Sequence, residues 1–302
     1  MIINSSLIKE FWYNGERKDF CPFKVYTHTI TREHHHTTES QLNGSYFETL
    51  CLGSGVKGQK VTSSMMRHKR NGGKTAVHDR IDTQHLRFCQ LCDEHEIIID
   101  PTTNTQVTVY KLWKDGETIL SGDMDIFPCT LKTPKRGAIM TIMDLKLTAD
   151  LDSTFGPYAW GNSAGMDHTQ AYMYKYLSEG IDPEINKHVG GDAPGTQKLL
   201  RLYDIFDGLN YDFNFLYWVF EHGPKGRNKL VEVQHDQTKR ADLHESIRKT
   251  KELVMGFMKN GWTEFLPNKD NCSSCECPNC KARYIPDIKE DSKSSFENYE
   301  TI

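Results

Sequence analysis

Asp123, Asp125, Asp144 and Lys146 are the residues of this chain best placed by type and spacing to do chemistry together. They fall in two neighbouring stretches, Gly122-Asp-Met-Asp125 and Ala138-Ile-Met-Thr-Ile-Met-Asp144-Leu-Lys146, joined by a short spacer. Ala138 to Met143 is apolar enough to be a buried strand, and the two-residue period of a strand turns Asp144 and Lys146 to the same face at its end. Asp125 belongs to the preceding strand of a hairpin. Two carboxylates on adjacent strands make a hard oxygen site for Mg²⁺ or Mn²⁺, and a lysine beside them can orient a water and stabilise developing negative charge. That combination suits phosphodiester cleavage. The competing reading makes Asp123 and Asp125 turn residues and Asp144-Leu-Lys146 a solvated strand end.

The elements that must position these groups follow from periodicity. Glu39 to Cys51 reads as a helix with an apolar stripe of Leu42, Tyr46, Phe47 and Leu50, and with Glu48 at its edge, where it could reach a cleft as a third carboxylate. Thr75 to His95 reads as a second helix, with Ile81, His85, Phe88 and Cys92 near helical spacing. Gln106 to Trp113 and Glu117 to Phe127 flank Lys114-Asp-Gly116, a hairpin signal that leads into the acidic strands. Asp150 to Asn162 looks irregular. Asp167 to Leu177 reads as a helix that presents Gln170 and Tyr174 on one face. Ile181 to Thr196, rich in glycine and proline, reads as a loop and an insertion. Phe213 to Glu221 and Lys229 to Gln234 read as strands, and His235 to Lys259 as a long amphipathic helix. Between the first two helices, Gly53 to Gly58 resembles a phosphate loop but lacks the lysine after its second glycine. The cations that follow, including Lys69 and Arg70, suit either backbone phosphate or plain solvation.

With 302 residues, 37% hydrophobic side chains and a net charge of −4, the composition is that of a globular chain, so nucleic-acid binding would need a local basic patch. No apolar run is long enough to span a membrane and no charged leader precedes one, which points to a soluble intracellular protein. Residues 1–286 are expected to form one elaborated domain and 287–302 a polar, disordered tail. Nine cysteines, four of them crowded into Cys272-Ser-Ser-Cys275-Glu-Cys277-Pro-Asn-Cys280, are more like a metal site in a reducing compartment than a disulfide framework. Cys89 and Cys92 on the second helix fit either core thiols or half of a zinc site. Cys21, taken alone, fits a small buried apolar residue.

The order of these pieces resembles the PD-(D/E)XK nuclease superfamily and, within it, the RecB-like exonucleases. The resemblance rests on Gly44-Ser-Tyr-Phe47-Glu48, Gly122-Asp-Met-Asp125, Asp144-Leu-Lys146 and Gln170-Ala-Tyr-Met-Tyr174. It implies an α/β fold with a restriction-endonuclease-like core, a central mixed β-sheet flanked by helices, and a C-terminal cysteine cluster. It further implies that Asp125 and Asp144 bind Mg²⁺ or Mn²⁺ with help from Glu48, that Lys146 activates the attacking water, and that Gln170 and Tyr174 contact DNA. A subgroup that includes AddB-type and CRISPR-associated exonucleases closes the fold with a 4Fe-4S cluster, for which Cys21, Cys272, Cys275 and Cys280 fit the layout. A zinc ribbon of Cys89, Cys92, Cys277 and Cys280 is the rival assignment. Phe47 replaces a histidine that ligates metal in many relatives. The implied activity is a metal-dependent DNA exonuclease acting on single strands or duplex ends in recombination, repair or phage DNA processing, in the cytoplasm of a prokaryotic or phage-infected cell. The alternatives are a DNA-binding subunit with an inactive site and a site-specific endonuclease of the same fold.

Overall fold

In the computed structural model, residues 1–18, 21, 25–26, 38–53, 73–133, 137–206, 208–209 and 211–260 are described. The chain opens with β1 (Ile2–Asn4) and α1 (Ser5–Phe11), where the Asn4 side chain caps the helix by accepting from Leu7 N. A two-stranded ribbon follows, β2 (Trp12–Tyr13) and β3 (Glu16–Arg17). Next come α2 (Glu39–Leu52), α3 (Ala76–Glu94), β4 (Thr105–Leu112), β5 (Ile119–Thr133) and β6 (Gly137–Thr148). The remainder is α4 (Thr169–Ser178), α5 (Pro183–Gly190), α6 (Pro194–Ile205), β7 (Asn214–Glu221), β8 (Asn228–Val233) and α7 (Gln237–Asn260).

The fold is α/β, a mixed sheet with helices on its faces. β6 and β7 run parallel, whereas β4–β5, β5–β6 and β7–β8 are antiparallel. β5 is the organising strand. Along one edge it pairs with β4 from Ile119 to Ile126. Its other edge is divided between β1, parallel over Ile119 to Ser121, and β6, antiparallel from Ile126 onward. β6 leaves β5 after the Ile126–Met143 pair and runs on beside β7 as far as Thr148. The sheet therefore forks at Gly122 to Asp125.

Alternation along β7 feeds two cores, as expected for a strand buried on both faces. Leu216, Trp218 and Phe220 pack with Phe47 of α2 and Phe88 of α3, with ring centroids of Phe47 and Phe220 5.1 Å apart. Phe215, Tyr217 and Val219 pack on the opposite side with residues of α1, α4 and α7. Phe47 is fully buried and serves this chain as core.

The helix expected over Glu39 to Cys51 is present, started by a Thr38–Gln41 capping box, but its buried face is Asn43, Tyr46, Phe47, Cys51 and Leu52 rather than a stripe through Leu42 and Leu50. The expected loop from Ile181 to Thr196 is corrected. It contains α5 and the start of α6, because Asp182 caps Glu184 N and Ile185 N and both helices begin at a proline. Composition suggested a breaker where the prolines mark first turns. β5 also runs beyond the expected Phe127 to Thr133. Among the described residues no helix is long and apolar enough to cross a membrane.

Candidate active site at the fork of the sheet

One step beyond the Ile126–Met143 pair, Asp125 and Asp144 stand across the fork from one another. Both are buried, at 5% and 1% exposure. Asp125 spans the opening, since its Oδ2 accepts from Leu145 N of β6 at 2.8 Å, while its Oδ1 accepts from Gln106 Nε2 of β4 at 3.1 Å. Asp144 Oδ1 accepts from Gln170 Nε2 at 2.8 Å, and its Oδ2 forms an ion pair with Lys146. Lys146 also lies 5.7 Å from the ring centre of Tyr217, the β7 residue in register with Asp144.

Glu48 reaches the same centre from α2. Burial pushes its carboxyl up to about 7, opposed by Lys146 and reinforced by Asp144. Burial likewise holds Asp125 well above the usual carboxylate range, and the charges of Asp144 and Glu48 add to that effect. For Lys146, burial alone would lower the pKa, but Asp144, Tyr158 and Asp125 hold it well above that of a free lysine. Three acids thus share one ammonium in a medium that penalises charge. The excess of negative potential and the all-oxygen donor set fit a hard divalent cation. Among the described residues, however, no three His, Cys, Asp or Glu side chains already form a metal cage.

The sequence-predicted residues Glu48, Asp125, Asp144, Lys146 and Gln170 are therefore brought together, with Tyr174 beside them. Tyr174 is buried, with its hydroxyl donating to Asp123 O at 2.7 Å and accepting from Gln170 at 3.3 Å. Asp123 turns to Thr108, whose hydroxyl donates to it at 2.6 Å. Cys89 and Cys92 lie on α3, Cys89 exposed with its sulfur 3.5 Å from His85 Nε2, and Cys92 packed in the core, where burial pushes its thiol up to about 12. Cys21 is half-buried and free. Lys69, Arg70, Cys272, Cys275, Cys277 and Cys280, like the 287–302 tail, lie outside the described residues.

Two contributors were not singled out from sequence. Lys9 of α1 donates to Gln170 Oε1 at 3.4 Å, and no periodic signal had marked that first helix. Gln106 appeared only as the polar opening residue of a strand. It is buried at φ +51°, a left-handed backbone that costs a non-glycine residue energy and so must be held by its surroundings. α6 does the holding. Lys198 Nζ donates to Thr105 O at 2.7 Å, and Gly195 lies so close that a Cβ there would come within 2.9 Å of Gln106 O. Gln106→Leu keeps the bulk but removes the donor to Asp125, and is expected to cost about 10–100-fold in activity or metal affinity, as lost outer hydrogen bonds commonly do. Cleavage rates titrated against Mn²⁺ check this, and an unchanged titration would show that Asp125 does not depend on Gln106.

No protein-family model matches the chain, and no curated protein matches it by sequence. Among solved structures, the chain is similar to the crystal structure of a protein named "Putative exonuclease" from Eubacterium rectale, with a TM-score of 0.54 and 15% identity over 93% of this chain and 87% of that one. At that identity the likeness speaks for the fold.

Proposed function

We propose that the chain is a nuclease that hydrolyses phosphodiester bonds at the fork of its sheet, acting as a metal-dependent DNA exonuclease on single strands or duplex ends. The observation that carries this reading is the meeting of Asp125, Asp144, Glu48 and Lys146 from separate elements at one buried, acid-rich opening. The fold shared with a protein named as an exonuclease supports it. Asp125 and Asp144, with Glu48, would hold Mg²⁺ or Mn²⁺, which when bound supplies charge neutralisation for the phosphate and a more acidic water.

The chain's own groups do the rest. Gln106 and Leu145 N fix both oxygens of Asp125, and Gln170 fixes one oxygen of Asp144. Such fixed donors keep the carboxylates in place while charge moves. Lys146, held by its ion pair with Asp144, orients the attacking water and offsets the charge growing on the phosphate. Tyr174 ties α4 to β5 and thereby aims Gln170. The cysteine cluster enters as an expectation of 4Fe-4S or zinc, to be decided by iron and zinc analysis of anaerobically purified protein.

The deciding experiment is a gel assay on end-labelled linear and circular single-stranded DNA with Mg²⁺, Mn²⁺ or chelator. The expected result is metal-dependent loss of the linear strand with the circle intact. Cutting of the circle would make the protein an endonuclease. Retention of both substrates by a protein that still binds DNA would overturn the catalytic reading in favour of a binding subunit.

A further inference from the structure

Among the described residues, several cations on this side of the sheet have acidic partners, and Lys9 does not. Lys146 is matched by Asp144, Lys225 by Asp152, and Arg227 by Glu221 and Asp152. Lys9 is half-buried beside the same centre, yet among the described residues it has no acidic partner; its ammonium has only the long contact to Gln170 Oε1 and the ring of Tyr158, with the centroid 5.5 Å away. A neutral amide and an aromatic face leave most of an ammonium's charge unanswered.

The backbone that carries it is nevertheless tied down. Lys18 Nζ donates to Lys9 O at 2.7 Å, and the turn after α1 is clamped to the segment ahead of α4. In that clamp the Tyr13 hydroxyl donates to Gly165 O, Asn14 Nδ2 donates to Met166 O at 3.0 Å, and His168 N donates to Asn14 Oδ1 at 3.2 Å. The N-terminal segment thus places Lys9, with no acidic partner among the described residues, next to Gln170, and Gln170 in turn donates to Asp144. Tyr158, stacked on Trp160 and partly exposed, forms the adjacent wall. A cation without an acidic partner, carried on an anchored backbone one side chain removed from the proposed hydrolytic centre, is suited to an anion that arrives with the substrate.

We infer that Lys9 and Tyr158 form a phosphate subsite that holds the nucleic-acid linkage flanking the one being cut, so that Lys9 engages the strand and Gln170 couples that engagement to Asp144. The inference rests on the nuclease reading above. It assigns the first helix a substrate-binding role, independent of base identity because phosphate contacts carry no sequence information.

The test uses the full chain with a short labelled single strand, in chelator so that no cleavage occurs, comparing wild type with Lys9→Gln and Lys9→Arg. Lys9→Gln should weaken binding roughly tenfold, in line with the loss of one charged hydrogen bond. The slope of log affinity against log salt should become shallower by about 0.7, the value for one single-strand phosphate contact. Lys9→Arg should restore both. A scan with one neutral methylphosphonate per strand then locates the contact. Wild type should lose affinity at a linkage next to the scissile one, and Lys9→Gln should be indifferent to that substitution. A role confined to propping Gln170 would give no linkage-specific charge dependence. An unchanged salt slope, or a Lys9-dependent penalty that falls on the scissile linkage itself, would overturn the inference. Failure of wild type to bind or cut any strand would instead remove the nuclease reading on which it rests.

Discussion

Lys146→Met should lower the rate of strand cleavage by about 10²–10⁴-fold, the range that a positioned proton-transfer or charge-stabilising group contributes. The lysine is half-buried, in ion-pair contact with Asp144 and facing Tyr217, so methionine can take up the same space without an ammonium. Removing that charge leaves Asp125, Asp144 and Glu48 with no cation among them. Breaking a buried ion pair in this way costs stability because the remaining charge is uncompensated. The metal-free variant should therefore melt below wild type, and added Mn²⁺ should raise its melting temperature by more than it raises that of wild type. Asp144→Asn should behave differently. It weakens the carboxylate set while leaving Lys146 in place, so excess Mn²⁺ should restore part of its cleavage and none of that of Lys146→Met. Wild-type cleavage of labelled single-stranded DNA by Lys146→Met would show that the hydrolytic centre is wrongly placed.

The parts of this arrangement that were legible in the sequence are those whose signal is local. Asp144 and Lys146 terminate an apolar run, and their shared face follows from strand period alone. Glu48 and Gln170 sit on helices whose periodicity and length were clear. The fork is not local, because it arises from β1 and β6 dividing one edge of β5, and pairing between Ile2 and Ile119 leaves no trace in either stretch. Lys9 and Gln106 were hidden for the same reason. A seven-residue helix offers too few turns for a periodic signal, and the left-handed backbone at Gln106 is imposed by α6, which itself was obscured by prolines that looked like breakers. Phe47 shows the reverse case. Read from the sequence it was one apolar position of a helical stripe, and its full burial against Phe220 explains why a large apolar side chain occupies it.

Gly122→Val should disable the site without replacing any group that takes part in it. Gly122 lies at the fork beneath α4, and a Cβ there would come within 2.7 Å of Leu177 Cδ1 and 2.8 Å of Tyr174 Cε1, closer than real side chains approach. Leu177 can swing a methyl aside, but Tyr174 is held by its hydroxyl on Asp123 O and by its ring against Phe215, with centroids 6.1 Å apart. The added bulk must therefore lift α4 from β5 or break the Tyr174 anchor. Overpacking of this kind typically costs about 1–3 kcal/mol. Because Gln170 rides on the same helix and holds Asp144, a displacement near 1 Å would also lower cleavage by about 10²-fold. The two losses should be coupled to the steric cause. Gly122→Ala combined with Tyr174→Leu should be more stable than the separate effects predict, since residues in direct contact do not act additively. Denaturation midpoints and cleavage rates for the four proteins of this cycle test the argument. Strict additivity, or a Gly122→Val protein with wild-type stability and rate, would mean that α4 does not bear on β5 at this glycine and that Gln170 is aimed by some other contact.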